Sequence, residues 1–341
     1  MDIWCALMLS EDKKNIKPEV LRVSKELSGL RLDKFIRYYI AGIKQSHLEK
    51  IIGSGGIRVN KKKVKPNCIL NFNQLVSIPP GLKEQNFETY SKPKFIPLKK
   101  DIELIRSSKI YEDENIIALN KPSGLPVQGG TKVHRHIDGL MMNSFDHIQK
   151  YYLLHRLDKD TTGVMIIPFN EYSHWKIADQ FKARSIQKEY IALTWGEWKE
   201  NKGVIENKLS RSKKNPLKFQ SSSNGKVATS EFKILKRGRN FSSINFFPKT
   251  GRTHQIRVHC SELGHPIIGD ELYGGGWKKL NEYLPEVKRK IKERIDIQIG
   301  HYLHASKISF MHPKSGKKVV FKAEPNESFI NLLNTINNEE V

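Results

Sequence analysis

The chain has 341 residues, with 59 Lys plus Arg against 36 Asp plus Glu, a formal net charge of +23. Such an excess repels itself unless a polyanion is near, so it points to a nucleic acid or an anionic membrane. No run approaches the roughly 18 apolar residues that span a bilayer, and the apolar opening at residues 3–9 meets Ser10-Glu11-Asp12 at once without a basic flank, a poor secretion signal. Cys5, Cys68 and Cys260 are odd in number and scattered, which fits a reducing cytoplasm rather than disulfides or a metal site. A nucleic acid is left as the favoured partner, with no membrane.

Residues 15–80 read as a compact basic module. Leu32, Phe35, Ile36, Tyr39 and Ile40 recur at helical spacing, with Asp33, Lys34, Arg37 and Tyr38 on the other side. Ser46 is the expected N-cap of a second helix carrying Leu48, Ile51 and Ile52 inward, and Gly53-Ser54-Gly55-Gly56 ends it. Strand-like pieces follow at residues 57–60, at Val64 and at residues 76–78. So small a core suits an attachment module better than an active site. A lysine run such as Lys61 to Lys65 is ordinarily a solvated hairpin. Here it stands beside Arg31, Lys34, Arg37, Lys44 and Arg58, which favours contact with RNA through Arg31, Lys34, Lys44, Arg58, Asn60, Lys61, Lys62 and Lys65. Residues 81–104 hold prolines and lysines without periodicity and read as a linker.

From 105 to 325 apolar runs alternate with turn signals. The segment Leu154-His155-Arg156-Leu157-Asp158-Lys159-Asp160-Thr161-Thr162-Gly163 is a polar loop running into the strand-like Val164-Met165-Ile166-Ile167, a rigid support of the kind on which sites are built. An acid flanked by cations has a lowered pKa and suits a nucleophile or electrostatic stabiliser; on these residues alone a surface ion-pair loop is the preferred reading. Tyr190 is a strand aromatic that could pack or bind. Residues 253–263 read as an amphipathic helix with Ile256, Cys260 and Leu263 inward and Gly264 as its stop. Arg257 lies off that stripe and needs an anion if buried, for which Asp158 is a sensible partner. Residues 277–299 suggest an inserted helix over a cleft rim. The 12 histidines show no zinc-ligand spacing, and no phosphate-binding glycine loop or dinucleotide fingerprint is present, so neither a metal nor a cofactor is expected.

The first module resembles an S4 RNA-binding domain. The likeness rests on Arg31-Leu32-Asp33-Lys34-Phe35 and on residues 57–66, Ile57 through Pro66. It departs at Asn73-Gln74, where many S4 domains carry Gly-Asp in the turn before the last strand. Residues 105–325 resemble the RluA-type pseudouridine synthases, whose His-Arg-Leu-Asp signature with its following Thr-Ser/Thr-Gly is complete in residues 155–163. Lys188-Glu189-Tyr190-Ile191-Ala192-Leu193, residues 251–259, residues 264–270 with Tyr273-Gly274, and Leu119 to Gly124 agree in order and spacing.

That resemblance implies an α+β chain: an S4 domain, then a catalytic domain with a central mixed, mostly antiparallel sheet. It implies Asp158 as the catalytic carboxylate that attacks a uridine in structured RNA, Arg156 as the side chain filling the gap when the base leaves its stack, and Tyr190 stacked on the uracil. Arg257 would pair with the aspartate, and Ile256 would form an apolar wall. The reaction is an internal rearrangement and calls for no cofactor. Residues 59–62, Lys65-Pro66, Ile78-Pro79-Pro80 and residues 127–130 are most similar to the C-type group, which implies large-subunit ribosomal RNA as substrate and a cytoplasmic monomer. The competing reading is a non-catalytic RNA-binding or ribosome-assembly factor derived from a synthase, against which the intact Asp158, Tyr190 and Arg257 argue. A hydrolytic glycosidase using Asp158 and Asp160 is disfavoured, since their closeness in one loop does not suit an acid–base pair across a substrate.

Overall fold

The computed structural model describes residues 18–25, 27–40, 43, 45–83, 97–129, 135–294 and 300–337. The chain divides into two compact units, Met1–Lys94 and Phe95–Val341.

In the first unit, β1 (Glu19–Arg22), β2 (Arg58–Val59), β3 (Lys62–Lys63) and β4 (Leu75–Ile78) form one antiparallel sheet in the order β1-β4-β2-β3. Helices α1 (Leu32–Tyr39) and α2 (Gln45–Ser54) turn Leu32, Phe35, Ile36, Leu48 and Ile52 into a core shared with Val76 and Ile78. Two helices and a small sheet are thus present as expected for an S4 domain. Several details differ. Asp33, expected on the wet side of α1, is buried and accepts from Nε and Nη2 of Arg31 at 3.0 and 2.6 Å. Ser46 lies inside α2 rather than capping it, and Val64 falls outside β3. Asn60 and Lys61, at φ of 48° and 65°, close the β2–β3 hairpin with the mirror-image turn that strand twist favours. Asn73 supplies a left-handed φ of 66° where many S4 domains use glycine, so the turn survives the substitution.

The second unit is built on a ten-stranded sheet. Its strands are β5 (Lys109–Glu112), β6 (Ile116–Lys121), β7 (Thr162–Pro168), β8 (Gln187–Trp195), β9 (Lys202–Arg211), β10 (Phe219–Ser221), β11 (Lys226–Arg237), β12 (Phe241–Pro248), β13 (Leu303–Met311) and β14 (Lys318–Lys322). Their order is β10-β9-β11-β12-β8-β13-β7-β6-β5, with β14 beside β13. Among the described strands only β13 with β7 is parallel, so the sheet is mixed and mostly antiparallel, as the resemblance implied. The runs Ile116–Leu119 of β6 and Val164–Ile167 of β7 are apolar on both faces because both faces are covered. Ile117, Leu119, Met165 and Ile167 pack with α3 (Lys99–Ser107) and α4 (Ile137–Ser144), while Ile116, Ala118, Val164 and Ile166 pack with α5 (Glu171–Lys182). Further along the sheet, Trp195, Phe241, Ile244 and Phe246 form a core with α6 (Gln255–Glu262) and α8 (Glu327–Asn337).

Helix α3 occupies the end of the stretch expected as linker. Asp101 and Ile105 are buried there, and Asp101 accepts from Arg135 Nε at 2.8 Å. Residues 277–299 begin with a 3-10 turn, Trp277–Glu282, and continue as α7 (Pro285–Arg294); Leu280 is buried in the core and the Tyr283 ring lies 5.4 Å from that of Trp195. The remainder, residues 295–299, falls outside those described. Among the described residues no helix is long and apolar enough to cross a membrane.

Candidate active site

The loop leading into β7 is pinned from several sides. His155 accepts the Ile166 N–H at Nε2 (2.9 Å), and burial holds its pKa down to about 4, so it is a neutral anchor. Leu157 is buried. Thr161 and Thr162 place their hydroxyls 2.7 Å from His301 Nε2 and His304 Nδ1, tying the loop to β13 and the residues just before it. Gly163 then has φ of 112°, and a Cβ there would lie 2.2 Å from the Ala305 carbonyl oxygen, so only glycine lets β7 and β13 approach. From inside the loop, Lys121 at the end of β6 donates to the carbonyls of Pro122, Leu125 and Lys159, each at 2.8 Å. Three acceptors match the three donors of an ammonium. Burial pushes this amine down to about 7, against the pull of Asp160 and Asp158.

So supported, Asp158 faces Arg257 of α6, whose Nη1 donates to its Oδ2 at 3.0 Å. Arg257 is itself buried, and Asp270 takes its Nε and Nη2 at 2.6 and 2.8 Å. The Tyr273 ring lies 4.9 Å from the guanidinium carbon. Burial raises the Asp158 pKa, but Arg257, joined by His254 and His301 when these are protonated, outweighs it and holds the carboxyl below its ordinary value. Burial also depresses both imidazoles, His301 to about 4, so near neutral pH the cation in contact with Asp158 is Arg257. Helix α6 is short and enclosed: Gln255 through Cys260 are all buried, whereas Leu263, expected inward, is 48% exposed because the helix has already ended at Glu262.

Asp158, Arg156, Tyr190, Ile256 and Arg257 line one cleft of about 400 Å³. The structure therefore brings together every residue proposed for this site. Asp158 is the one carboxylate among the described lining residues, while Arg184, Lys188, Lys249 and Arg252 add positive charge. Tyr190, on β8, has its phenol pushed up by burial and then by the charge of Asp158, so it stays protonated. Arg156 is exposed and, with Asp158, His254 and Arg257, also borders a second hollow of about 550 Å³. Asp160 lines that hollow instead of the cleft and packs against Gly300. Asp270, Lys121, Tyr273, His254 and His301 were not singled out from the sequence. Lys121, His254, Asp270 and Tyr273 stood within matched motifs without a role, and His301 carried no spacing signal.

In the first unit, Arg31, Lys34, Arg58, Asn60, Lys61, Lys62 and Lys65 are all exposed, and Lys44 lies outside the described residues. Their occupations differ. Arg31 is paired with Asp33, Arg58 Nε donates to Gly55 O at 3.0 Å, and Asn60 Oδ1 accepts the Leu75 N–H at 2.9 Å. The Asp33 N–H donates to Pro66 O at 3.0 Å, which sets the start of α1 against the turn after Lys65. Among the described residues no group of three metal-ligating side chains occurs.

The model of the RNA pseudouridylate synthase family matches residues 115–262, a stretch that contains Asp158, Tyr190 and Arg257. A ribosomal large subunit pseudouridine synthase C of Buchnera aphidicola subsp. Acyrthosiphon pisum is 34% identical over 93% of this chain and 97% of its own length. The protein of the same name from Vibrio cholerae is 32% identical over 89% of this chain and 92% of its own. Among solved structures, human RNA pseudouridylate synthase domain containing 4 superposes with a TM-score of 0.54 at 22% identity, covering 69% of this chain and 95% of that one, a likeness of fold. Matching catalytic fold, near-full-length relatives and a cleft with a lone carboxylate agree: the chain belongs to the RNA pseudouridylate synthase family.

Proposed function

We propose that this protein isomerises specific uridines to pseudouridine in large-subunit ribosomal RNA, with Asp158 as the attacking group. The observation that carries the reading is the lone ionised carboxylate, held by Arg257 in a basic cleft sized for one nucleoside. Asp158 attacks the flipped uridine, the N1–C1′ bond breaks, and the uracil turns within the cleft. C5 then bonds C1′, losing its proton while N1 gains one, so no oxidant or hydrolytic water is consumed. Tyr190 and Ile256 bound the base, and Arg156, exposed beside Asp158, takes the space the base vacates. A planar guanidinium can stack and donate there at once, offsetting the few kcal/mol that unstacking costs.

The first unit supplies additional phosphate contact through Lys34, Lys61, Lys62 and Lys65, with Arg31, Lys44, Arg58 and Asn60 around them. We read the domains as 15–80 for RNA attachment and 105–325 for catalysis, working as a monomer in the cytoplasm. Names of relatives support the substrate class, and the basic surface supports RNA in general. The test is release of tritium from large-subunit RNA labelled at uridine C5. Wild type should release it without freeing uracil, and Asp158→Asn should not. Silence from the wild type would favour a binding or assembly factor, and free uracil would make the protein a glycosidase.

A further inference from the structure

His254 precedes α6 with φ of 57°, a left-handed conformation that histidine, like asparagine and aspartate, adopts more readily than other side chains. Its Nδ1 lies 2.8 Å from the Tyr273 hydroxyl and its Nε2 lies 3.8 Å from Asp158 Oδ2. The Tyr273 hydroxyl in turn accepts the Phe219 N–H at 2.8 Å, and the Phe219 carbonyl is 3.2 Å away. The Phe219 ring meets the imidazole edge-on with centroids 5.7 Å apart.

Counting protons gives this chain a direction. The hydroxyl already accepts from Phe219 and has one proton to give, and its nearer acceptor is His254 Nδ1. An imidazole that accepts at Nδ1 carries its own proton on Nε2, the nitrogen that faces the carboxylate. Burial depresses its pKa, with Asp158 and Asp270 opposing and Arg257 and Arg156 adding to the effect, so the neutral ring is the form present near neutral pH. At 3.8 Å the N–H is an oriented dipole rather than a formed hydrogen bond. It adds a weaker restraint on the same Oδ2 that Arg257 Nη1 holds, without gripping it as a second cation would.

We infer that His254 is a positioning residue for the Asp158 carboxylate, with its tautomer set by Tyr273 and, through that hydroxyl, by the backbone of Phe219 where the β9–β10 hairpin ends. The loop between β9 and β10 carries Lys213, Lys214 and Lys218, cations of the kind that attract RNA phosphates, and it runs directly into the Phe219 backbone that sets this tautomer. This inference rests on Asp158 being the attacking group.

Two measurements test it separately from that reading. The first needs no substrate: nitrogen-15 NMR of the full chain should find His254 protonated on Nε2 in the wild type, and Tyr273→Phe should lose that preference while keeping the ring under Arg257. A wild-type imidazole protonated on Nδ1 would overturn the wiring. The second uses His254→Gly, which relieves the left-handed φ and leaves a hole. Its single-turnover rate on ribosomal RNA should fall roughly ten- to a hundred-fold with RNA affinity nearly unchanged, free imidazole should restore part of the rate, and adding Tyr273→Phe should cost little more. An undiminished rate in His254→Gly, or a loss of affinity in place of rate, would sink the positioning role. If the wild type itself makes no pseudouridine, the functional reading fails and the tautomer result still stands.

Discussion

Asp270 takes both prongs of the Arg257 fork, Nε and Nη2, and thereby turns the remaining corner, Nη1, toward Asp158. Arg257 is the element that couples a wholly buried carboxylate to the one that lines the cleft. A lysine could not serve both, because it lacks the rigid planar fork.

Asp270→Asn should therefore act on chemistry more than on binding. An amide accepts from one prong and presents N–H to the other, so Arg257 loses its aim. Single-turnover rate should drop roughly ten- to a hundred-fold while RNA affinity stays within about two-fold. Rapid-quench kinetics beside filter binding would check this, and a pure affinity defect would contradict it.

Arg257→Ala leaves two carboxylates without their cation, one of them almost fully buried. It should destabilise the catalytic unit by about 3–5 kcal/mol as well as cut turnover. Replacing both partners, Arg257→Met with Asp270→Leu, should recover much of that stability in urea melts and none of the activity.

Lys121→Met removes the shared donor of three carbonyls, including that of Lys159 next to Asp158. With unsatisfied buried acceptors left behind, the cost should be about 3 kcal/mol or more, read as a lowered midpoint in denaturant. Residual turnover should fall further than stability alone explains, because the loop bearing Asp158 loses its inner tether.

The acid behaviour of Asp158 follows from its lowered pKa. The folded carboxyl binds a proton less readily than the unfolded one. Its stabilising share is therefore complete above the ordinary value of 3.8 and is lost as acid protonates the folded form. The stability gap between wild type and Asp158→Asn should be constant from about pH 5 to 8 and close below about pH 4. Carbon-13 NMR of the Asp158 carboxyl should show it ionised throughout the upper range; a titration near neutrality would contradict the assignment of Arg257 as its partner.

Deleting Met1–Lys94 should leave the second unit folded, since its core is made from its own residues. RNA affinity should fall and depend less on salt, by about 0.7–0.9 in the log–log slope for each phosphate contact removed. An unaltered slope would take the first unit out of RNA binding.

The legible part of this protein was the part written in local pattern. Residues 155–163 lie within one loop, so Asp158 could be singled out, and it could be named as the partner Arg257 would need if buried. Asp270 could not be found that way, because it follows a glycine in a turn and becomes a partner only when that turn folds back on α6. Lys121 ends an apolar strand and looks solvent-facing until three carbonyls are seen around it. Leu263 shows the reverse error: helical spacing continued one position past the helix. Asn73 shows that a departure from a motif can keep the backbone angle the motif required.

The position of β13 has a consequence for synthesis of the protein. Within the sheet this late strand alone joins β7, which follows Asp158, to β8, which bears Tyr190. Asp158 and Tyr190 thus belong to halves that the chain makes early and closes last. A nascent polypeptide halted before Leu303 would hold both banks of the cleft with no span between them. The ability to modify RNA then arrives in one step, near the end of translation, and a truncated product would be inert instead of indiscriminate.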